Sequence, residues 1–153
     1  NIEEFNIDKS IEREYLIESV TWSSTMTTDY NISTTNLPGA LLNQPYISTK
    51  VQGFRLIHSG VKMSFRLSCN RFTTGSLMIV FVPHAPAAGR GEFNGSVQRL
   101  SGHEHILLSA NQSGTVTYHL PYIHPHRYTS LPISRDNEWW TVRAFVNDPL
   151  VDI

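Results

Sequence analysis

Seven histidines are the side chains here best suited to chemistry, and five of them fall between positions 103 and 126. His103-x-His105 would set two imidazoles on one face of a strand, with His119, His124 and His126 following within reach of an adjacent strand. Nitrogen ligands so grouped suit zinc or another borderline metal. The plainer reading is a set of loop and surface histidines. Cys69 is the only cysteine, so no intrachain disulfide can form, which favours a reducing compartment. Alternation along its strand would point the thiol into the core with Val61 to Leu67, where it is inert. No Gly-x-Ser-x-Gly elbow and no phosphate-cradling Gly-Lys-Ser/Thr loop occurs, and the carboxylates are scattered. Neither an enzyme nor a cofactor is expected.

The other conspicuous side chains point to surfaces. Arg55, Lys62, Arg66 and Arg71 gather in one stretch, but without the interleaved aromatics that single-strand binders stack on bases. A solvated sheet face or intersubunit salt bridges is the simpler expectation. A formal net charge of -1 supplies no basic field for holding a polyanion. Trp139-Trp140 sits in a predicted strand, where neighbours face opposite sides. One indole should enter the core and the other be covered by a loop or a partner, since Trp is enriched at interfaces. No apolar run approaches the roughly 20 residues that span a bilayer. The chain opens on Asn1 without a signal-peptide pattern, as a proteolytic product or trimmed piece would.

The elements that must position these residues are strands. In GVKMSFRLSCNRFTTGSLMIVFVP, Val61, Met63, Phe65, Leu67 and Cys69 alternate with polar residues, so one face is buried. Leu77 to Val82 is apolar throughout, as in a strand covered on both sides, and Pro83 ends its ladder. Gly60 to Pro83 therefore reads as one antiparallel hairpin. Further strands are expected at Tyr15 to Ser23, Tyr30 to Ile32, His105 to Ser109, Thr115 to Leu120 and Trp139 to Val146. Ala40 to Asn43 reads as a helical turn, and HAPAAGRGEFNGSVQRLSG as a projecting loop. At 153 residues one domain is expected, at positions 15–153, behind an arm at 1–14.

Two stretches resemble a known family. FRLIHSGVKMSFRLSCNRFTTGSLMIVFVPHA is similar to the central strands of picornavirus-like capsid proteins, with Phe72, Gly75, Leu77 and Pro83 matching Phe-x-x-Gly-x-Leu, an apolar strand and Pro. HILLSANQSGTVTYHLPYIHPHRYTS, followed by Trp139 to Leu150, is similar to the family's later strands. The pattern looks most like the second major capsid protein of dicistroviruses, iflaviruses or picornaviruses. The resemblance implies an antiparallel eight-stranded jelly-roll β-sandwich of two four-stranded sheets. The family's last strand should follow Pro149-Leu150, so it is expected to lie beyond this sequence. It also implies a structural subunit of a non-enveloped icosahedral shell, self-assembling with sister capsid proteins around positive-strand RNA. RNA would be held weakly and non-specifically, and a host receptor is a further partner. The location implied is the virion, and the host cytoplasm during assembly. Interface candidates on this reading are Phe5 and Ile7 in the arm, Arg90, His124, His126 and Arg127 in loops, and Trp139 or Trp140.

Two alternatives remain open at this point. One is a lectin-like jelly roll binding sugar through loop Asn, Trp and His residues. The other is a cupin-like metal site on His103, His105 and His119, although a cupin wants a Glu shortly after its second His and Ile106 to Gln112 has none.

Overall fold

The uninterrupted apolar run at 77–82 needs cover on both faces, and the chain is folded so as to provide it. The computed structural model describes residues 13–83, 97–112, 114–134 and 137–152. Within it β1 (Asn31–Leu37), α1 (Gly39–Leu42), α2 (Pro45–Val51), β2 (Leu56–Ile57), β3 (Val61–Leu67) and β4 (Thr73–Pro83) are followed by α3 (Val97–Leu100), β5 (Glu104–Ser109), β6 (Gly114–Leu120), β7 (Thr129–Ser130) and β8 (Trp140–Asp152). β4 lies between β8 and β5 in an antiparallel four-stranded sheet of order β1-β8-β4-β5. Its Leu77, Ile79 and Phe81 join Leu37, Trp140 and Val142 in the main core. Its Met78, Val80 and Val82 face the other way, onto Phe145 and Leu100 of α3. Both faces of β4 are thus buried, as its composition requires.

The cover over the main core is a second layer. β3 pairs with β6 from Val61↔Leu120 to Leu67↔Gly114, and β3's alternate Val61, Met63, Phe65 and Leu67 turn toward the large sheet. Phe81 stacks on Tyr118 at 4.4 Å and tilts against Phe65 at 6.1 Å, closing the two layers on each other. One near-parallel and one tilted ring contact thus join the layers, with centroids within or just below the range at which aromatic pairs attract.

This arrangement corrects the expected hairpin. β3 and β4 are consecutive but do not pair; both edges of β4 are taken by β5 and β8. An alternating strand with one apolar face is what a two-faced strand needs above it, not beside it. Residues 68–72 therefore cross between layers, and Phe72 is left exposed there. β5 and β6 divide between the layers in the same way.

Other boundaries also shift. β8 continues through Pro149 to Asp152 with an irregularity near Ser76, where the sequence reading ended it at Val146. β1 runs seven residues, extending well past Ile32. Residues 15–23, expected as a strand, pair with nothing in a ladder. Cys69 is exposed, because β3 ends at Leu67 and the alternation that would bury the thiol ends with it. The described residues thus give sheets of four, two and two strands, the last being the short pair β2–β7, and not two sheets of four. No described helix is long and apolar enough to cross a membrane.

Candidate functional site

The separation of β5 from β6 dissolves the metal constellation. His105 stands on β5 in the large sheet, its Nδ1 2.8 Å from the His103 carbonyl oxygen. His119 stands on β6 in the other layer, opposite Lys62 of β3. Among the described residues no group of three or more His, Cys, Asp or Glu is placed to hold a metal. Cys69 is exposed, and the desolvation it does meet pushes its thiol up, which lowers its thiolate fraction.

Trp139 and Trp140 are both buried within the chain, at 1% and 5% exposure. Trp139 immediately precedes β8, and strand alternation does not bind it. Its Nε1 donates to Thr129 Oγ1 at 2.8 Å, while Trp140 Nε1 donates to the Pro121 carbonyl at 2.9 Å. Each indole thus satisfies its polar group while anchoring residues 121–130 to the core. Tyr122 packs edge-on to Trp139 at 5.0 Å and lies tilted against His58 at 4.1 Å. His58 Nδ1 lies 2.6 Å from the Arg127 carbonyl oxygen.

The predicted loop residues share that segment. The His126 amide donates to His124 Nδ1 at 3.1 Å, so that nitrogen is an acceptor. The Arg127 guanidinium lies 5.7 Å from the Tyr128 ring centroid. His126 and Arg127 are exposed and His124 is half-buried. The same end of the molecule, where β2 pairs with β7, exposes Phe54, Leu56, Ile123 and Tyr128. Phe5, Ile7 and Arg90 lie outside the described residues.

A feature the sequence reading missed is a groove beside β3. Four strands make the large sheet, while β3 and β6 alone are laddered above it. Residues 13–22 run along the uncovered part, held by Ser64 Oγ donating to Glu14 at 3.0 Å, by Lys62 Nζ at 3.5 Å from the same carboxylate, and by Ser33 donating to Glu18. Between them and β3 an opening of about 1320 Å³ reaches down to Ile79, Val142 and Ala144 of the large sheet. Trp22 also lines it, and its buried indole N–H has no acceptor. The signal for this groove was present in the sequence: a one-faced strand at 61–67, and β-prone residues at 15–23 without an identified partner.

The sequence model of picornavirus capsid protein matches residues 2–150. The structural polyprotein of cricket paralysis virus (isolate Teleogryllus commodus/Australia) is 25% identical over 118 residues, covering 76% of this chain and 13% of that polyprotein. The structure of black queen cell virus superposes with a TM-score of 0.88 at 20% identity, covering 98% of this chain and 66% of that one. The Triatoma virus empty capsid gives 0.83 at 24% identity, covering 96% and 83%. The chain thus spans only part of the proteins it resembles. These likenesses show its fold to be the all-β jelly roll of viral shell proteins.

Proposed function

The chain belongs to the picornavirus capsid protein family, and from that premise we propose that it is a structural subunit of a non-enveloped icosahedral shell. It assembles with sister capsid proteins, encloses positive-strand RNA and acts within the virion after assembly in the host cytoplasm. The observation carrying this reading is the family match over residues 2–150. The likeness to the cricket paralysis virus polyprotein supports an insect-virus setting, and the motif at Phe72, Gly75, Leu77 and Pro83 supports the place of second major capsid protein. Family membership leaves the sugar-binding alternative without support.

In this reading the end formed by β2, β7 and residues 121–128 is a subunit contact, with His124, His126 and Arg127 at its rim. Exposed Phe54, Leu56, Ile123 and Tyr128 lie at this end, and aromatic residues with Arg are what interface cores favour. The arm residues Phe5 and Ile7 reach a neighbouring subunit, and Arg90 belongs to a loop at the particle surface or between subunits. RNA contact is weak and sequence-independent, consistent with a net charge of -1. A host receptor meets the exposed loops.

The test is to produce the chain together with its parent polyprotein partners and to determine the mass of the product by sedimentation and negative-stain imaging. Regular closed particles containing the chain are expected. A chain that stays monomeric with all its partners present would sink the reading.

A further inference from the structure

Ile57 and Thr129, partners in the β2–β7 ladder, turn inward: Ile57 packs against the main core and Thr129 is buried. Strand alternation sends their neighbours outward, and Leu56, His58, Tyr128 and Ser130 are all exposed. Phe54 and Ile123 are exposed at the same end. The charge there has one sign. Neither 52–60 nor 121–134 contains an Asp or Glu, whereas Arg55, His58, His124, His126 and Arg127 fall within them. Glu138, the next described carboxylate along the chain, accepts from the Gly39 amide at 3.0 Å and is engaged there. In a chain of net charge -1 this end is therefore a local cationic surface carrying aromatic and aliphatic side chains. It is also held in shape. The Leu131 amide donates to the Arg55 carbonyl at 2.8 Å, the Tyr122 hydroxyl donates to the His126 carbonyl at 2.9 Å, and His58 Nδ1 lies 2.6 Å from the Arg127 carbonyl oxygen. A surface ordered in advance loses less entropy when a partner settles on it.

We propose that this end docks an acidic, apolar segment of a neighbouring polypeptide, its carboxylates paired with Arg55 and Arg127 and its apolar side chains covering Phe54, Leu56, Ile123 and Tyr128. The proposal rests on the reading of this end as a subunit contact and names what the partner must bring. Charge complementarity selects the occupant, because cations gathered in two segments that contain no carboxylate attract acidic side chains and turn away basic ones. The aliphatic residues argue against RNA, the other polyanion at hand. Leu56 and Ile123 give a base no ring to stack on, but they gain from being covered by apolar side chains. Two guanidiniums neutralise few phosphates, whereas Arg among aromatic side chains is the composition that protein interfaces favour.

The test titrates the full chain, by fluorescence anisotropy, with a labelled peptide of about eight residues that alternates Glu with Leu or Phe. Analogues with Gln or Lys in place of Glu, and an oligouridylate of similar length, are run beside it. The acidic peptide should bind with a Kd below about 1 mM and at least about fivefold more tightly than the Gln analogue. The Lys analogue should not bind. Leu56→Ser, at an exposed position, should weaken binding at least about tenfold, and Arg55→Gln and Arg127→Gln about twofold to fivefold each. Arg66→Gln, on the exposed face of β3, should leave it unchanged. Absence of binding overturns the proposal, as does equal binding of the Glu and Lys peptides, or wild-type affinity in the Leu56 and Arg variants. Tighter binding of the oligouridylate, lost in the same variants, would assign the surface to RNA and overturn the stated occupant. A chain that enters closed particles but takes no acidic peptide overturns this proposal alone. One that binds the peptide here yet stays monomeric with its partners present overturns the assembly reading alone.

Discussion

Replacing Gly75 with alanine isolates what holds β4 to β8 at their irregular end. Gly75 has φ +147°, a backbone region that side chains rarely enter, and strain of this kind costs roughly 1–3 kcal/mol. An added Cβ would also lie 3.0 Å from the Pro149 carbonyl oxygen and 2.9 Å from the Trp22 ring. Trp22 can turn aside, but Pro149 belongs to β8, and overpacking against such a neighbour adds roughly 1–3 kcal/mol. The reduced freedom of the unfolded chain returns only about 0.4–1 kcal/mol. Gly75→Ala should therefore lose roughly 1–5 kcal/mol, by summing those contributions. Gly114→Ala is the control, because φ there is +139° and nothing lies within 4 Å of the new methyl. It carries the backbone cost without the clash. Urea unfolding followed by the fluorescence of the three tryptophans should place Gly75→Ala below Gly114→Ala by about 1–3 kcal/mol. Equal losses in the two variants would refute the claim that close approach to β8, and not φ alone, demands glycine at 75.

Phe81→Ala should cost about 3–5 kcal/mol in the same assay, since Phe81 is fully buried between Phe65 and Tyr118; a loss below 1 kcal/mol, roughly a surface value, would mean the two layers are not closed there. Trp139→Phe removes the donor to Thr129, whose hydroxyl retains Tyr122 at 2.8 Å, and leaves part of the buried indole's volume empty, so at least about 1–2 kcal/mol should be lost, with faster amide exchange in residues 121–130; unchanged exchange there would count against the anchor. Lys62→Ala should change stability by less than about 0.5 kcal/mol, because its partner Glu14 and it are both largely exposed. The Tyr118 hydroxyl, hydrogen-bonded to Glu104 across the layers and also desolvated by burial and opposed by that charge, is pushed up to about 12 from 10.0. A raised folded-state value means its contribution is fully present below the unfolded value and is lost as pH rises through about 12. Wild type should therefore lose stability faster than Tyr118→Phe over that alkaline window, by a small amount given the partial exposure; parallel curves would count against the Glu104 bond.

How much of this was legible depends on what each residue's neighbours had to decide. The period-two run at 61–67 and the unbroken run at 77–82 state their burial outright, and both held. Their partners are not written in that pattern: pairing side by side and packing face to face leave the same alternation in each strand. The hairpin was misread for that reason; the metal alternative for His103, His105 and His119 rested on the same assumption that strands close in sequence share a sheet. Cys69 was misplaced by extending an alternation two residues past the strand's end. Trp139-Trp140 follows the loop-covered branch of its expectation: Trp139 stands just outside β8 and donates to Thr129 of β7, while Trp140 donates to Pro121, and neither acceptor is foreseeable from local sequence. The motif residues Phe72, Gly75, Leu77 and Pro83 were more informative than composition, because a positive φ at Gly75 and the end of a ladder at Pro83 are backbone requirements.

The free edges of this fold differ in chemistry and in what lies beneath them. β1 borders the large sheet with Ser33, Thr34, Thr35 and Asn36, and β5 borders it with Glu104 and His105. Polar and charged side chains of this kind blunt an edge against further pairing. β6, at the margin of the small layer, carries Thr115, Thr117 and His119, all exposed. β3 is different, because its free side does not meet solvent beside a finished sheet; it meets open core at Ile79, Val142 and Ala144. Water there faces apolar surface, at a cost of about 25 cal/mol for each Å² left uncovered. A polar edge tolerates being last, whereas an edge above exposed core does not. That asymmetry sets β3 apart from β1, β5 and β6, which are also bonded along one edge only.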